Sequence, residues 1–187
     1  WILDVGCGLG PFVLRMESQG NSVIGIDLYK SKISFCQRIK DHYPEKRFWF
    51  YEGTAYCMSF YDKWFDVVHS TMMIEHLQDP VMALTEMGRL AKIVTGIIHM
   101  GRSEDESLLH QYFYTPQKVV KLLDACFSSY EIFWLDGNIC AVFVGVPRMD
   151  LALSLLLEDA RKQICKLLGG EYRISSYGPE SIPIAKI

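Results

Sequence analysis

Short apolar runs alternate along the chain with longer segments whose apolar residues recur every three to four positions. The first pattern predicts buried strands and the second predicts amphipathic helices, because side chains alternate in a strand and repeat about every 3.6 residues in a helix. The predicted strands comprise residues 1–5, 22–27, 47–53, 65–70 and 93–100. The predicted helices comprise residues 11–19, 30–40, 80–91 and 116–127. Alternating strands and helices indicate a doubly wound α/β fold with a mostly parallel sheet.

Two final strand-like runs, residues 130–135 and 139–146, are separated only by Asp136, Gly137 and Asn138. A parallel pair would need a crossover of about a dozen residues. A connection of three residues therefore predicts that the two strands are antiparallel neighbours. The sheet should therefore end in an antiparallel C-terminal hairpin. Residues 150–168 carry a continuous apolar stripe and predict a further helix.

The organisation of the chain follows from its length and its ends. A chain of 187 residues suits one domain. We expect residues 1–146 to form its main part and residues 147–187 to add a helix and tail to the same domain, as a monomer or a homodimer. The sequence begins at Trp1, inside a predicted strand, so we expect that an element preceding this strand is missing.

Composition narrows the range of partners. The net charge of −3 argues against a general nucleic-acid or anionic-membrane surface, and no apolar run approaches the ~20 residues of a spanning helix. Six cysteines are scattered without a C-x-x-C pair, which we interpret as free thiols in a reducing compartment. The sequence therefore predicts a cytoplasmic protein with no membrane or nucleic-acid partner.

Three glycines, Gly6, Gly8 and Gly10, lie between the first strand and the first helix. A glycine turn at this place builds an anion or nucleotide site from the backbone, because glycine allows both a tight turn and the close approach of a ligand. A plain turn would need one or two glycines. Dinucleotide-binding turns follow the pattern G-x-G-x-x-G, which would place the third glycine where Pro11 stands.

Two acidic residues accompany this turn. Asp4 lies two residues before Gly6 and suits a ligand that carries an ammonium or sulfonium group. Asp27 ends the second strand, where a carboxylate can accept hydrogen bonds from both hydroxyls of a ribose. The alternative for Asp27 is a helix cap.

The segments LDVGCGLG, VIGIDL and FDVVHSTMMIEHLQDP together resemble the class I S-adenosylmethionine-dependent methyltransferases over residues 1–146. The resemblance implies a Rossmann-like seven-stranded sheet and S-adenosylmethionine as cofactor. It also implies a set of cofactor-binding residues, namely Asp4, Gly6, Cys7, Gly8, Gly10, Asp27, Leu28, Thr54, Ala55 and Ser70. Thr54 stands where the family often has an aspartate that binds adenine, and the family's Pro-Gly-Gly turn before the fifth strand is absent.

Candidates for the chemistry follow the ends of the fourth and fifth strands. Methyl transfer depends on alignment of the acceptor with the methyl group, and a general base is needed only when the acceptor carries a proton. Glu75, His76 and His110 are the candidate catalytic residues, with Tyr112 and Tyr114 as a possible aromatic wall. A structural or pocket-wall role is the alternative for Glu75 and His76.

No metal site is predicted. Metal-dependent small-RNA methyltransferases carry an E-x-x-E-H motif, and Met72 occupies its first position here. We therefore predict a methyltransferase that acts on an unidentified, small-molecule acceptor. The alternatives are a catalytically inactive S-adenosylmethionine-binding domain and a nicotinamide-dependent oxidoreductase.

Overall fold

The computed structural model describes residues 1–101, 111, 113–135 and 140–148. Its strands are β1 (Ile2–Val5), β2 (Val23–Asp27), β3 (Phe48–Glu52), β4 (Phe65–Thr71), β5 (Ala91–His99), β6 (Phe127–Leu135) and β7 (Cys140–Pro147). Its helices are α1 (Pro11–Glu17), α2 (Lys30–His42), α3 (Pro80–Leu90) and α4 (Pro116–Cys126), with a short 3-10 turn at Ile74–His76.

These strands form one seven-stranded sheet in the order β3-β2-β1-β4-β5-β7-β6. The first five are parallel, and β7 runs antiparallel to both β5 and β6. The predicted mostly parallel α/β sheet with an antiparallel C-terminal hairpin is therefore confirmed. The turn predicted at residues 136–138 and the helix predicted at 150–168 lie outside the described residues.

Local signals place the starts of two helices correctly. Asp79 caps α3, where its Oδ1 accepts the Met82 N–H at 2.9 Å. Thr115 caps α4, where its Oγ1 accepts the Lys118 N–H at 3.3 Å. In both helices a proline takes the first turn, where no backbone donor is needed.

The boundary between α3 and β5 differs from the prediction. Ala91, expected to end the helix, is extended and pairs with Phe65 as the first residue of β5. Pairing with a neighbouring strand overrides the helix preference of alanine here. The predicted start of β6 is also late, because Phe127 already pairs with Pro147.

Helices cover the two faces of the sheet unequally. On one face α1 and α2 pack on β2 and β3 through a small core that includes Val13, Cys36 and Phe50. On the other face α3 and α4 pack on β4, β5, β6 and β7. Several apolar residues on the α1 side of β5, β6 and β7 are left exposed by the described helices: Ile93, Phe133, Leu135, Val144 and Val146.

The side chain of Arg89 connects α3 to the loop after β3 through hydrogen bonds and ion pairs. Its guanidinium donates to the Glu86 carboxylate at 2.8 Å, to Asp62 at 2.6 Å and to the carbonyls of Met58 and Phe60. Glu86 in turn accepts the Met58 N–H at 2.8 Å and is buried. One buried ion pair therefore fixes the loop at residues 58–62.

The prediction that all cysteines are free is partly wrong. Cys7, Cys36 and Cys126 carry free thiols, whereas Cys57 is disulfide-bonded. A reducing compartment therefore stays a prediction. In the part of the chain that the structure describes, no helix has both the length and the apolar character needed to span a membrane.

Candidate cofactor site

The glycine loop after β1 combines two kinds of constraint. Gly6, Gly8 and Gly10 all have positive φ angles, of 75°, 58° and 83°. A Cβ on Gly6 would lie 2.7 Å from Met73 Cγ, and one on Gly10 would lie 2.7 Å from Phe50 Cζ. A Cβ on Gly8 would meet no atom of the described residues within 4 Å. Packing within the protein therefore requires the outer glycines, whereas Gly8 borders open space that a ligand can enter.

Asp27 lies at the end of β2 beside this opening. Its Oδ2 accepts the Gly8 N–H at 2.9 Å, and its Oδ1 accepts the Tyr29 N–H at 2.9 Å. The Lys32 ammonium lies 3.7 Å from Oδ2. A carboxylate oxygen accepts two hydrogen bonds, so the buried Asp27 carboxylate is oriented and still has capacity for two hydroxyl donors.

Asp4 lies deeper, at the end of β1. It is 2% exposed, and its Oδ1 has no hydrogen-bond partner among the described residues. Burial, and then the nearby charge of Asp27, raises the pKa of Asp4 to about 7. A ligand carrying a positive charge would stabilise the ionised form of this carboxyl.

Replacing Asp4 by asparagine should raise stability at high pH and weaken cofactor binding. Between the ordinary pKa of 3.8 and about 7, the folded chain keeps a proton on Asp4 that the unfolded chain has lost. The stability contributed by this protonated carboxyl is therefore full below about pH 4 and is lost as the pH rises towards 7. We expect Asp4→Asn to match the wild type at pH 4 and to exceed it by up to about 4 kcal/mol at pH 8, since a pKa difference of one between the folded and unfolded chains corresponds to about 1.4 kcal/mol.

Urea unfolding at several pH values measures the stability, and calorimetry with S-adenosylhomocysteine measures the affinity. Asp124→Asn is a suitable control, since this exposed carboxylate lies on α4, away from the loop. Equal stability of wild type and Asp4→Asn at pH 8 would contradict the expected cost of ionising Asp4.

The remaining predicted cofactor residues lie around this opening in different ways. Leu28 follows Asp27 and is 58% exposed, so its side chain is accessible to a flat ring. Thr54 and Ala55 are buried just after β3, where Thr54 Oγ1 accepts the Tyr56 N–H at 3.4 Å. The Cys7 thiol is buried, and burial raises its pKa far above the ordinary range.

Ser70 is enclosed on the opposite side of the sheet. It is 0% exposed, and it alternates with His69, which lies on the side of α1. Only the backbone of Ser70 is therefore available to a ligand at the loop. The prediction that Ser70 binds the cofactor stays a prediction.

The candidate catalytic residues Glu75 and His76 differ in exposure to solvent. Glu75 is 1% exposed, its Oε1 accepts the His99 N–H at 3.3 Å, and burial raises its pKa. Its Oε2 has no hydrogen-bond partner in the described part of the chain. His76 is exposed at the end of the same turn, and Tyr114 is buried. His110 and Tyr112 lie outside the described residues.

The sequence places His69 within a strand, as a packed or cofactor-adjacent residue, and in the structure it pairs with Asp4 across β1 and β4. Its ring stacks on Phe12 with 3.9 Å between centroids, and its two nitrogens lie 2.7 Å from the hydroxyls of Thr71 and Thr95. Thr71 lies on the same side of β4 as His69 because side chains two residues apart in a strand share a face. Thr95 reaches the ring only through the pairing of β4 with β5, for which local sequence gives no signal.

The described residues fit S-adenosylmethionine, the cofactor that the resemblance implies. The open side of Gly8 admits a ligand against the backbone, Asp27 has acceptor capacity for ribose hydroxyls, and Asp4 has a buried oxygen without a partner. Among the residues that the structure describes, no cluster of three or more histidine, cysteine or acidic residues could hold a metal ion.

Comparison with known proteins gives a consistent result. Residues 3–94 match the family model for a methyltransferase domain. Demethylmenaquinone methyltransferase from Lactiplantibacillus plantarum is 27% identical over 135 residues, which cover 68% of this chain and 56% of that protein. The chain spans between 32% and 56% of the length of the first curated relatives that it matches.

Solved structures share the fold. A SAM-dependent methyltransferase from Aquifex aeolicus superposes with a TM-score of 0.63 at 19% identity, covering 79% of this chain and 81% of that one. The N-terminal domain of EvdMO1 with SAH bound gives a TM-score of 0.63 at 16% identity, covering 79% of this chain and 74% of that one. These neighbours support S-adenosylmethionine as the cofactor of this domain. Together these matches support a class I S-adenosylmethionine-dependent methyltransferase domain in this chain.

Proposed function

We propose that this chain transfers a methyl group from S-adenosylmethionine to a small-molecule acceptor. The observation that carries the proposal is the Asp27 carboxylate, which backbone N–H groups hold in place beside the open side of Gly8. The name of the L. plantarum relative supports a small-molecule acceptor. The net charge of −3 gives no support for a nucleic-acid partner. We also propose that the protein acts in the cytoplasm.

In this proposal each part of the site holds one part of the cofactor. Asp27 accepts hydrogen bonds from the ribose hydroxyls, Leu28 and Thr54 contact the adenine, and Asp4 faces the charged amino-acid end. The bound cofactor supplies a methyl group on a positively charged sulfur. The protein contributes mainly by holding the acceptor in line with that group, which is worth many orders of magnitude in rate.

Glu75, His76 and His110 are the proposed acceptor-side residues. Glu75 is buried, so we assign it a positioning role. Its carboxylate accepts the His99 N–H and its backbone carbonyl accepts the Gln111 N–H, which holds the segments after β4 and β5 together. His76 is exposed at the end of this turn and is accessible to an acceptor.

A methyl-transfer screen tests the function. The protein is incubated with S-adenosylmethionine carrying a labelled methyl group and with a pooled small-molecule extract, and labelled products are separated by chromatography. We expect label in one or a few small molecules, and much less label with Asp27→Ala at a cofactor concentration below saturation. Cofactor binding without any transfer would instead indicate an inactive binding domain, and tight binding of NAD alone would indicate an oxidoreductase.

Replacing Asp27 by alanine should weaken binding of S-adenosylhomocysteine by about 1.5–3 kcal/mol, because hydrogen bonds to a charged acceptor are lost. Glu52→Ala provides a matched control, since Glu52 pairs with Asp27 at the end of the adjacent strand but is exposed. Calorimetry measures both variants. If Asp27→Ala folds and binds S-adenosylhomocysteine as tightly as Glu52→Ala does, the ribose does not bind at Asp27.

We propose further that residues 147–187 belong to the same domain, in a monomer or a homodimer. The exposed apolar residues of β5, β6 and β7 show that the described helices leave part of the sheet uncovered. Truncation after Pro147 tests this by thermal melting and light scattering. Lower stability at unchanged oligomeric state supports packing within one chain, and loss of a dimer supports a subunit contact. A truncated chain of equal stability and oligomeric state would refute both.

A further inference from the structure

A row of polar residues crosses three neighbouring strands on the side of α1. Asp4, His69 and Thr95 occupy equivalent register positions in β1, β4 and β5. His69 is 8% exposed, and Phe12 covers one face of its ring at 3.9 Å between centroids. The imidazole is therefore held in one orientation within the sheet.

Both nitrogens of this ring are already hydrogen-bonded. Nδ1 lies 2.7 Å from the Thr95 hydroxyl, and Nε2 lies 2.7 Å from the Thr71 hydroxyl. Burial lowers the pKa of His69 to about 4, so the ring is neutral at neutral pH and carries one N–H and one lone pair. One threonine must therefore donate its hydroxyl proton to the ring while the other accepts the ring N–H.

This pairing excludes a simpler role for the histidine. An aspartate that orients a catalytic histidine must accept a proton from one ring nitrogen. Asp4 is the acidic neighbour in the row, but both nitrogens of His69 already pair with threonines. The described contacts therefore link His69 to two hydroxyls rather than to a carboxylate.

Thr71 and Thr95, the two residues hydrogen-bonded to His69, lie in different surroundings. Thr71 ends β4 two residues after His69, and Gly6 follows β1 two residues after Asp4, the partner of His69. Because β1 and β4 are parallel neighbours, Thr71 lies at the edge of the sheet from which the cofactor loop begins. Thr95 is half-buried and pairs with Val144, which is 41% exposed. The hydrogen-bonded series thus runs from this edge of the sheet to the half-buried Thr95.

We propose that Thr71, His69 and Thr95 form a proton relay that removes the proton of the methyl acceptor. This inference rests on the proposed function. As the acceptor is methylated, its X–H bond breaks and the proton passes to Thr71 Oγ1. The hydroxyl proton of Thr71 passes to His69 Nε2, the Nδ1 proton of His69 passes to Thr95 Oγ1, and the hydroxyl proton of Thr95 passes to water.

This sequence balances without a charged histidine. Each group in the relay gains one proton and loses one, so the ring changes tautomer and stays neutral. Such a step suits an imidazole that burial keeps from becoming an imidazolium. The relay requires a definite starting state, in which the ring proton is on Nδ1 and Nε2 accepts from Thr71.

The starting state is measured without any acceptor. Nitrogen-15 labelling of histidine and two-bond correlation spectra, recorded on the protein with S-adenosylhomocysteine, report the tautomer of His69. We expect a neutral ring at pH 7 with its proton mainly on Nδ1. A ring that is protonated on both nitrogens, or fixed with its proton on Nε2, would overturn the proposal. This result is independent of whether the methyl-transfer screen succeeds.

The relay itself is tested by Thr95→Val, using S-adenosylmethionine and the acceptor found in the screen. A purely structural role of Thr95 would lower stability and leave kcat unchanged. The relay predicts about a hundredfold lower kcat with KM and cofactor affinity unchanged, the usual scale of acid–base catalysis. The loss should diminish at high pH, where hydroxide removes the proton directly. Thr85→Val is the matched control, because the Thr85 hydroxyl bonds only within α3, to the Val81 carbonyl. A Thr95→Val variant with the kcat of Thr85→Val would overturn the relay.

Discussion

Replacing Arg89 by methionine is expected to lower the free energy of unfolding by about 3–5 kcal/mol, the scale of breaking a buried ion pair. The substitution leaves the Glu86 carboxylate buried without its cation and removes donors from the carbonyls of Met58 and Phe60. Methionine keeps much of the apolar stem, so the loss reflects the missing charge and hydrogen bonds. Urea unfolding followed by circular dichroism measures the change.

Asp62→Ala separates the buried part of this ion pair from its exposed part. Asp62 also binds the Arg89 guanidinium, but its side chain is 73% exposed. Exposed ion pairs contribute about 0–1 kcal/mol, so this variant should remain close to the wild type. Similar losses for the two variants would show that Arg89 acts as a surface residue and that Glu86 does not depend on it.

A second large effect is expected from alanine at two positions of the glycine loop. Gly10→Ala and Gly8→Ala both place a side chain at positive φ, which costs about 1–2 kcal/mol. Only Gly10→Ala also forces a Cβ against the Phe50 ring, which adds about 1–3 kcal/mol of overpacking. We therefore expect Gly10→Ala to be the less stable variant.

Cofactor affinity should rank these two variants differently from stability. The added methyl group in Gly8→Ala enters the space assigned to the ligand, so binding of S-adenosylhomocysteine should weaken at least about tenfold, or 1.4 kcal/mol. Unfolding in urea and calorimetry on the same samples compare both properties. If Gly8→Ala binds as tightly as the wild type, the ligand does not approach the backbone at Gly8.

Features encoded by neighbouring residues could be predicted from the sequence. The Asp79-Pro80 and Thr115-Pro116 pairs mark helix starts because capping involves residues only three positions apart. Asp27 could be found because it follows an apolar strand at a fixed distance from the glycines. These signals depend on residues within one strand–turn–helix unit and not on residues elsewhere in the chain.

Features that depend on strand register could not be predicted. His69 meets Thr95 only because β4 and β5 pair in one particular register, 26 residues apart in sequence. Nothing in the sequence around Arg89 indicates its contacts with the loop after β3, which form only in the folded chain. The enclosure of Ser70 likewise follows from which face of β4 is covered, and a one-residue shift would reverse it.

The contact between Met73 and Gly6 has a consequence for the order in which ligands bind. The Met73 side chain fills the space where a Cβ of Gly6 would stand, and Met73 opens the turn that carries Glu75 and His76. A shift of that turn towards an acceptor therefore moves an atom packed directly under the cofactor loop. Each ligand should then change the affinity for the other by the same factor, since coupling between two sites is reciprocal. Calorimetric titration of the acceptor with and without S-adenosylhomocysteine would measure this coupling free energy.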